Sequence, residues 1–159
     1  MIAFLLNLAI ALIWFFLGDE PDGARLLVGY LVGFGLLYLF RGALPDDSYT
    51  RRVLAFGVFM AVFSRELIVS NLQLAWIVLT RPTRELSPQI FTYPVEGLKP
   101  LEILLLSHAI SLTPGTATVD VEDNFRTLRL HTIDSRDLEA TRRGIRDNLE
   151  RRILAFTRR

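Results

Sequence analysis

Residues 53–80 read VLAFGVFMAVFSRELIVSNLQLAWIVLT. As one helix, these 28 residues reach about 42 Å. That exceeds the ~30 Å hydrocarbon core of a bilayer. Arg65 and Glu66 interrupt the apolar run near its middle. A charge pair at that depth is costly when it faces lipid. Glu66, Ser70 and Gln73 are spaced i, i+4, i+7 and so share one helix face, and Asn71 adds to the polar content. Two arrangements relieve the cost. The pair faces a partner subunit or a wet cavity, or the helix lies tilted or partly outside the bilayer with Arg65 snorkelling to headgroups. Arg65, Glu66, Ser70 and Asn71 are therefore candidates either for an ion path or for a subunit contact.

Two shorter apolar runs precede this segment. Ile2–Leu17 (IAFLLNLAIALIWFFL) has one polar member, Asn7, and reaches roughly 24 Å as a helix. It does not read as a cleaved signal peptide. No Lys or Arg precedes Arg25, and Trp14-Phe15-Phe16 stands where small residues belong. Gly18–Gly23 (GDEPDG) breaks the helix, and Ala24–Phe40 resumes the apolar pattern. Gly29-x-x-x-Gly33 lies on one face of that run, where it lets another backbone approach closely. The alternative is that glycine is simply frequent in membrane helices. The two runs predict a tight hairpin. Membrane helices are thus expected at about 2–17, 24–40 and 53–80, with Arg41–Arg52 a polar connector turning at Pro45, Asp46 and Asp47. Arg41, Arg51 and Arg52 favour a cytoplasmic connector, whereas Arg81 and Arg84 favour a cytoplasmic end to the third segment. One full span cannot satisfy both. The basic C-terminal half is placed in the cytoplasm and the 41–52 loop outside; the alternative is that one of the three segments is re-entrant or interfacial.

Charge divides the chain near residue 81. Residues 1–80 hold 11 charged side chains and residues 81–159 hold 24, although the whole has a net charge of +1. A fully soluble domain spreads its charges, since every element needs a wet face. The fold class predicted is therefore an α-helical membrane segment of three hydrophobic helices over 1–81, followed by a small α+β domain over 82–159. In that domain Gln89–Tyr93 reads as a strand and Leu101–Ser111 as a helix buried over most of its surface. Thr113-Pro114-Gly115-Thr116 has Pro then Gly in the type II order. Ala117–Val121 and Thr127–Ile133 alternate as strands of a hairpin around Asp123-Asn124, and Arg136–Phe156 is a charged helix. The predicted order is β-α-β-β-α.

Little points to catalysis. The chain has no cysteine and two histidines, His108 and His131, neither with a third ligand at metal spacing, so no metal or other cofactor is expected. No glycine-rich phosphate loop is present. The near-neutral charge argues against a nucleic-acid partner. Arg142, Arg143, Arg146, Arg151 and Arg152 are interleaved with Asp137, Glu139, Asp147 and Glu150, which reads first as a solvated helix face and second as an anionic-lipid contact.

At Ile110–Asp120 the sequence is ISLTPGTATVD. This stretch resembles the signature of the E component of the multisubunit Mrp-type (Mnh/Pha) sodium/proton antiporters, in which an LTPGT turn precedes a V-D strand. The likeness extends to LLNLAIALIWFFL and GYLVGFGLLYLF, to Glu66-Leu67 with Ser70-Asn71, and to Pro88-x-Ile90-Phe91. Arg65 departs from the pattern, where the family commonly has Lys. The resemblance implies a non-enzymatic accessory subunit of a monovalent cation/proton antiporter in the bacterial inner membrane. It implies the other antiporter subunits and membrane lipid as partners, Na+ and H+ as the ions the complex carries, and Thr113, Pro114, Gly115, Thr116 and Asp120 as a structural motif. A stand-alone membrane-anchored binding module is the competing class.

Overall fold

In the computed structural model, residues 2–18, 22–43, 48–82, 85–122 and 125–158 are described. The turn positions Asp19, Glu20 and Pro21, Pro45 to Asp47, Arg84, and Asp123-Asn124 lie outside them. The chain forms two compact units, Met1–Leu54 and Ala55–Arg158, and the division falls inside the third helix.

The first unit is built on small residues. Helix α1 (Ile2–Phe16) buries Ala3, Asn7 and Ala11, four residues apart. Helix α2 (Gly23–Leu39) buries Gly29, Gly33 and Leu37 at the same spacing. Asp22 caps α2 through its carboxylate, which accepts from the Ala24 N–H. The backbones approach closely along these stripes. A Cβ on Gly29 would lie 2.7 Å from Trp14 Cβ and 3.0 Å from the Ala11 carbonyl oxygen. A Cβ on Gly33 would collide with Asn7 Oδ1. A 3-10 turn, Arg41–Ala43, follows.

Helix α3 runs Ser48–Thr80, so it starts five residues before the apolar pattern does. The polar segment from Ser48 to Arg52, read from sequence as connector, is helical because it has a burial role in this unit: Thr50 is buried and Tyr49 is half-buried. Asn7 Nδ2 donates to Tyr49 Oη at 2.8 Å, and the Tyr30 and Tyr49 hydroxyls share a hydrogen bond at 2.6 Å. One polar node thus ties α1, α2 and the first turn of α3.

The second unit has a three-stranded antiparallel sheet in the order β1 (Gln89–Pro94), β3 (Thr127–Thr132), β2 (Thr116–Val121). Strand β1 (Gln89–Pro94) buries Phe91 and Tyr93, and β3 (Thr127–Thr132) buries Leu128, Leu130 and Thr132. The period of two is that of a sheet covered on one face. Pro94 is tolerated because β1 is an edge. Strand β2 (Thr116–Val121) carries a bulge between Thr118 and Asp120, which leaves Val119 exposed.

Helix α4 (Pro100–Leu112) lays Ile103, Leu106 and Ile110 on that core. Pro100 opens it, and Glu102 reaches back to accept from the Lys99 N–H at 2.8 Å. The expectation that this helix is buried over most of its surface holds for six of the eleven residues from Leu101 to Ser111, but not for its outer face. Leu101, Leu104 and Leu112 are each more than half exposed, while the acidic Glu102 is buried. Apolar periodicity does not distinguish a face turned to the core from one turned outward.

The C-terminal helix begins at Leu138, not Arg136, because Asp137 caps it by accepting from the Ala140 N–H at 2.8 Å. Helix α5 (Leu138–Gly144) widens into a π-helical stretch, Ile145–Glu150, before helix α6 (Arg151–Thr157). The buried residues Ile145, Leu149 and Ile153 are four apart. In an α-helix such a series drifts about 40° per step, and the wider π turns hold it on one line. Phe59 and Phe63 of α3 join this core, with Phe156 packed 5.5 Å from the Phe59 ring.

Candidate functional site

Two features chosen separately from sequence meet within the second unit. Glu66, Ser70, Gln73 and Ile77 descend one face of α3, continuing the line of Phe59 and Phe63. Facing them is the turn Thr113–Thr116, where Gly115 has φ +96°, as a type II turn demands. The Thr116 N–H donates to the Thr113 carbonyl across it. Between these elements, and flanked by residues of α5 and the π-helix, lies an open-sided cavity of about 450 Å³.

Arg65 and Glu66 pair with each other at 2.7 Å, Nη1 to Oε1. The two are unequal: the Arg65 side chain is 70% exposed and that of Glu66 only 21%. The Arg65 Cα–Cβ bond leaves the helix about 100° around from that of Glu66, and its long side chain bends back to reach the carboxylate from the exposed side. Asn71 does not join this face. It is exposed and donates to the Leu67 carbonyl at 2.7 Å. Asp120 stands apart from the turn, on the exposed side of β2, 3.8 Å from Arg129.

The threonines around the cavity are committed elsewhere. Thr113 Oγ1 donates to the Ala109 carbonyl at 2.9 Å, and Thr116 Oγ1 lies within hydrogen-bond distance of the Ile110 carbonyl at 3.2 Å. Thr132 Oγ1 donates to the Asp134 carbonyl and Thr141 Oγ1 to the Asp137 carbonyl, both at 3.1 Å. Thr132, Thr141 and Asn148 are contributors that no sequence motif singled out.

A second polar group lies deeper. Glu102 is 1% exposed and accepts from Arg158 Nη2 at 2.7 Å, Arg158 Nε and Thr157 Oγ1 at 2.9 Å, and the Lys99 N–H. The Arg158 guanidinium, aided by these donors, holds its carboxyl down at about 2. Tyr93, buried in β1, donates to Glu150 of the π-helix; burial first, then that carboxylate, push its phenol above the usual tyrosine range. Neither pair was visible in sequence, since 56 and 57 residues separate the partners. The Pro100-to-Glu102 spacing at a helix start was the one available signal.

The remaining candidates stay separate. His108 is exposed, with Nδ1 2.8 Å from the Leu104 carbonyl. Among the described residues, no cluster of three or more His, Cys, Asp or Glu could hold a metal ion. Arg151 pairs with Asp147 at 2.8 Å, and Arg142 lies over the Phe91 ring at 5.2 Å.

Comparison with known proteins points one way. A family model described as Na+/H+ ion antiporter subunit matches residues 7–156. The E component of a Na+/H+ antiporter from Alkalihalophilus pseudofirmus is 37% identical over 154 residues, 97% of each chain. That of Bacillus subtilis is 32% identical with the same coverage, and an E1 component from Staphylococcus haemolyticus is 33% identical over 94% of each chain. Among solved structures, a chain of the membrane-bound sulfane sulfur reductase, an archaeal respiratory membrane complex, is similar with a TM-score of 0.51. It is 26% identical, with 85% of this chain and 84% of that one covered.

Proposed function

The chain belongs to the MnhE family of Na+/H+ antiporter subunits, and from that premise we propose that it is an accessory subunit that supports assembly of a multisubunit monovalent cation/proton antiporter in the bacterial cell membrane. Its family is one of transporter subunits, not of enzymes. The observation that carries the accessory role is the isolation of Glu66. Among the described residues lining its cavity, Glu66 is the sole ionisable group, and its Oε1 is already bound by Arg65. A relay that hands a proton or ion across a membrane needs successive groups, and none follows Glu66 along this face.

The membrane role divides by helix. Among the described residues, Ser48–Thr80 is the one helix long and apolar enough to cross a bilayer; Ile2–Phe16 and Gly23–Leu39 are shorter. In our reading residues 1–81 form the membrane part, residues 82–159 the cytoplasmic α+β domain, and α1 and α2 pack through Gly29 and Gly33. The exposed face of α3 supports a membrane contact for this helix. Ile68, Leu72, Trp76 and Leu79 are exposed on the side opposite Glu66, Ser70 and Gln73. The apolar side meets lipid or neighbouring subunits, and the polar side stays on protein. Because Phe59, Phe63 and Glu66 face the α+β elements, we favour the tilted, partly extramembranous arrangement of this helix over a straight central span. Arg65 then reaches headgroups.

The direct-contributor reading, with Arg65 and Glu66 on an ion path, has one supporting observation: the Glu66 face lines a cavity. Co-purification tests the proposal. Extracted in mild detergent, the chain is expected to copurify with the other antiporter subunits. Recovery as a stable lone monomer would overturn the assignment and favour a stand-alone module. The chain lacks cysteine, so single cysteines at Trp76 and Ser111 report membrane shielding against aqueous thiol reagents directly.

A further inference from the structure

We propose that the cavity over Glu66 is a socket for a cationic side chain, a lysine or arginine, presented by a neighbouring subunit of the complex, with the Glu66 carboxylate as its counter-ion.

The lining selects for charge and for hydrogen-bond donors. Glu66 is its one carboxylate, and no Lys, Arg or His is among the described lining residues. Arg65 engages Oε1 from outside, which leaves acceptor capacity on the carboxylate. Thr113, Thr116, Thr132 and Thr141 have each spent their hydroxyl proton on a backbone carbonyl. A threonine so committed can offer a guest only lone pairs. Ser70, Gln73 and Asn148 can act as donor or acceptor. The wall therefore presents acceptors in excess, the complement of an ammonium or guanidinium group.

Size and apolar content separate a side chain from a bare ion. A water occupies about 30 Å³ of liquid volume, so a cavity of about 450 Å³ is far larger than one desolvated monovalent cation needs. Leu74, Ile77, Ile133, Ile145 and Leu149 supply apolar wall. Lysine and arginine bury their methylene stems against such surface while the head group seeks acceptors. The socket rests on the accessory role proposed above, because it requires a neighbour.

The test uses the assembled complex. A benzophenone amino acid at Ala140, a cavity-lining position, is photo-activated and its adducts are mapped by mass spectrometry. The expected adduct joins another subunit within a peptide that contains Lys or Arg. Glu66→Gln, which keeps shape and removes charge, should lower adduct yield and retention of this chain by about tenfold. Asn148→Lys, which puts a resident amine in the socket, should do the same, with the purified variant's circular dichroism unchanged. Adducts confined to lipid or to this chain, or on a peptide with no basic residue, would overturn the socket. So would a yield indifferent to Glu66→Gln, or protection of the site by methylammonium with retention unchanged. If the wild-type chain brings down no other subunit at all, the accessory role itself fails; normal copurification with the wrong adducts condemns the socket alone.

Discussion

Each unit is held together by its own kind of residue. In Met1–Leu54 the contact between α1 and α2 is made by Ala3, Ala11, Gly29 and Gly33, with one neutral polar node at Asn7. In Ala55–Arg158 the fully buried side chains are large, among them Tyr93, Leu106, Ile110, Leu128, Leu130 and Ile153, and the buried polar groups include an ionised carboxylate, Glu102, paired with the half-exposed Arg158. The difference fits the proposal above, in which the first unit answers to lipid and the second to water. Where water is the alternative, large apolar side chains drive association. Where lipid is the alternative, apolar burial gains little, and close backbone packing with neutral hydrogen bonds takes its place. A buried carboxylate is tolerated in the second unit because several donors surround it.

The contrast breaks in opposite directions. Truncation should harm the second unit most: Leu130→Ala, at a fully buried site on the central strand, is expected to lower its stability by about 2–5 kcal/mol, read as a shift in the denaturant midpoint. Enlargement should harm the first. Gly33→Leu forces a side chain onto Asn7 and is expected to cost about 1–3 kcal/mol, seen as loss of a disulfide engineered between α1 and α2, with the Leu130 unit unaffected. The buried carboxylate of Glu102 sharpens the comparison through pH. The Glu102 carboxyl is held at about 2, below its ordinary 4.5, so its contribution is full above pH 4.5 and is lost as pH falls towards 2. The wild-type chain should therefore exceed Glu102→Gln in stability at pH 7 and converge with it near pH 2; a constant gap would contradict the pairing. The smallest effect belongs to the neutral node. Tyr49→Phe removes the hydroxyl that serves Asn7 and Tyr30, at a cost of about 0.6–2 kcal/mol, with no pH dependence between 3 and 7.

What sequence made legible was local. The apolar runs mark α1, α2 and most of α3, and the Pro-Gly order marks the Thr113–Thr116 turn, whose Gly115 takes positive φ. The i, i+4, i+7 spacing put Glu66, Ser70 and Gln73 on one face, and they line one cavity. What sequence left hidden was long-range pairing. Asn7 was visible as an odd polar residue, but its partner Tyr49 sits 42 positions away in a segment that looks like connector. Glu102 hid within an apolar helix, and the π-helix that supplies Asn148 has no local signature, since its reason is the line of Ile145, Leu149 and Ile153 against the core. Asn71 looked like a partner of Glu66 by proximity in sequence, yet one residue past Ser70 is 100° around the helix.

The central claim is that this chain supports assembly and does not conduct. Cation/proton exchange per assembled complex, measured in vesicles carrying Glu66→Gln at matched complex levels, tests it most directly. Less of this chain is expected to be retained, while each assembled complex exchanges at the wild-type rate. A fully assembled complex that has lost exchange would contradict it and put Glu66 on the ion path.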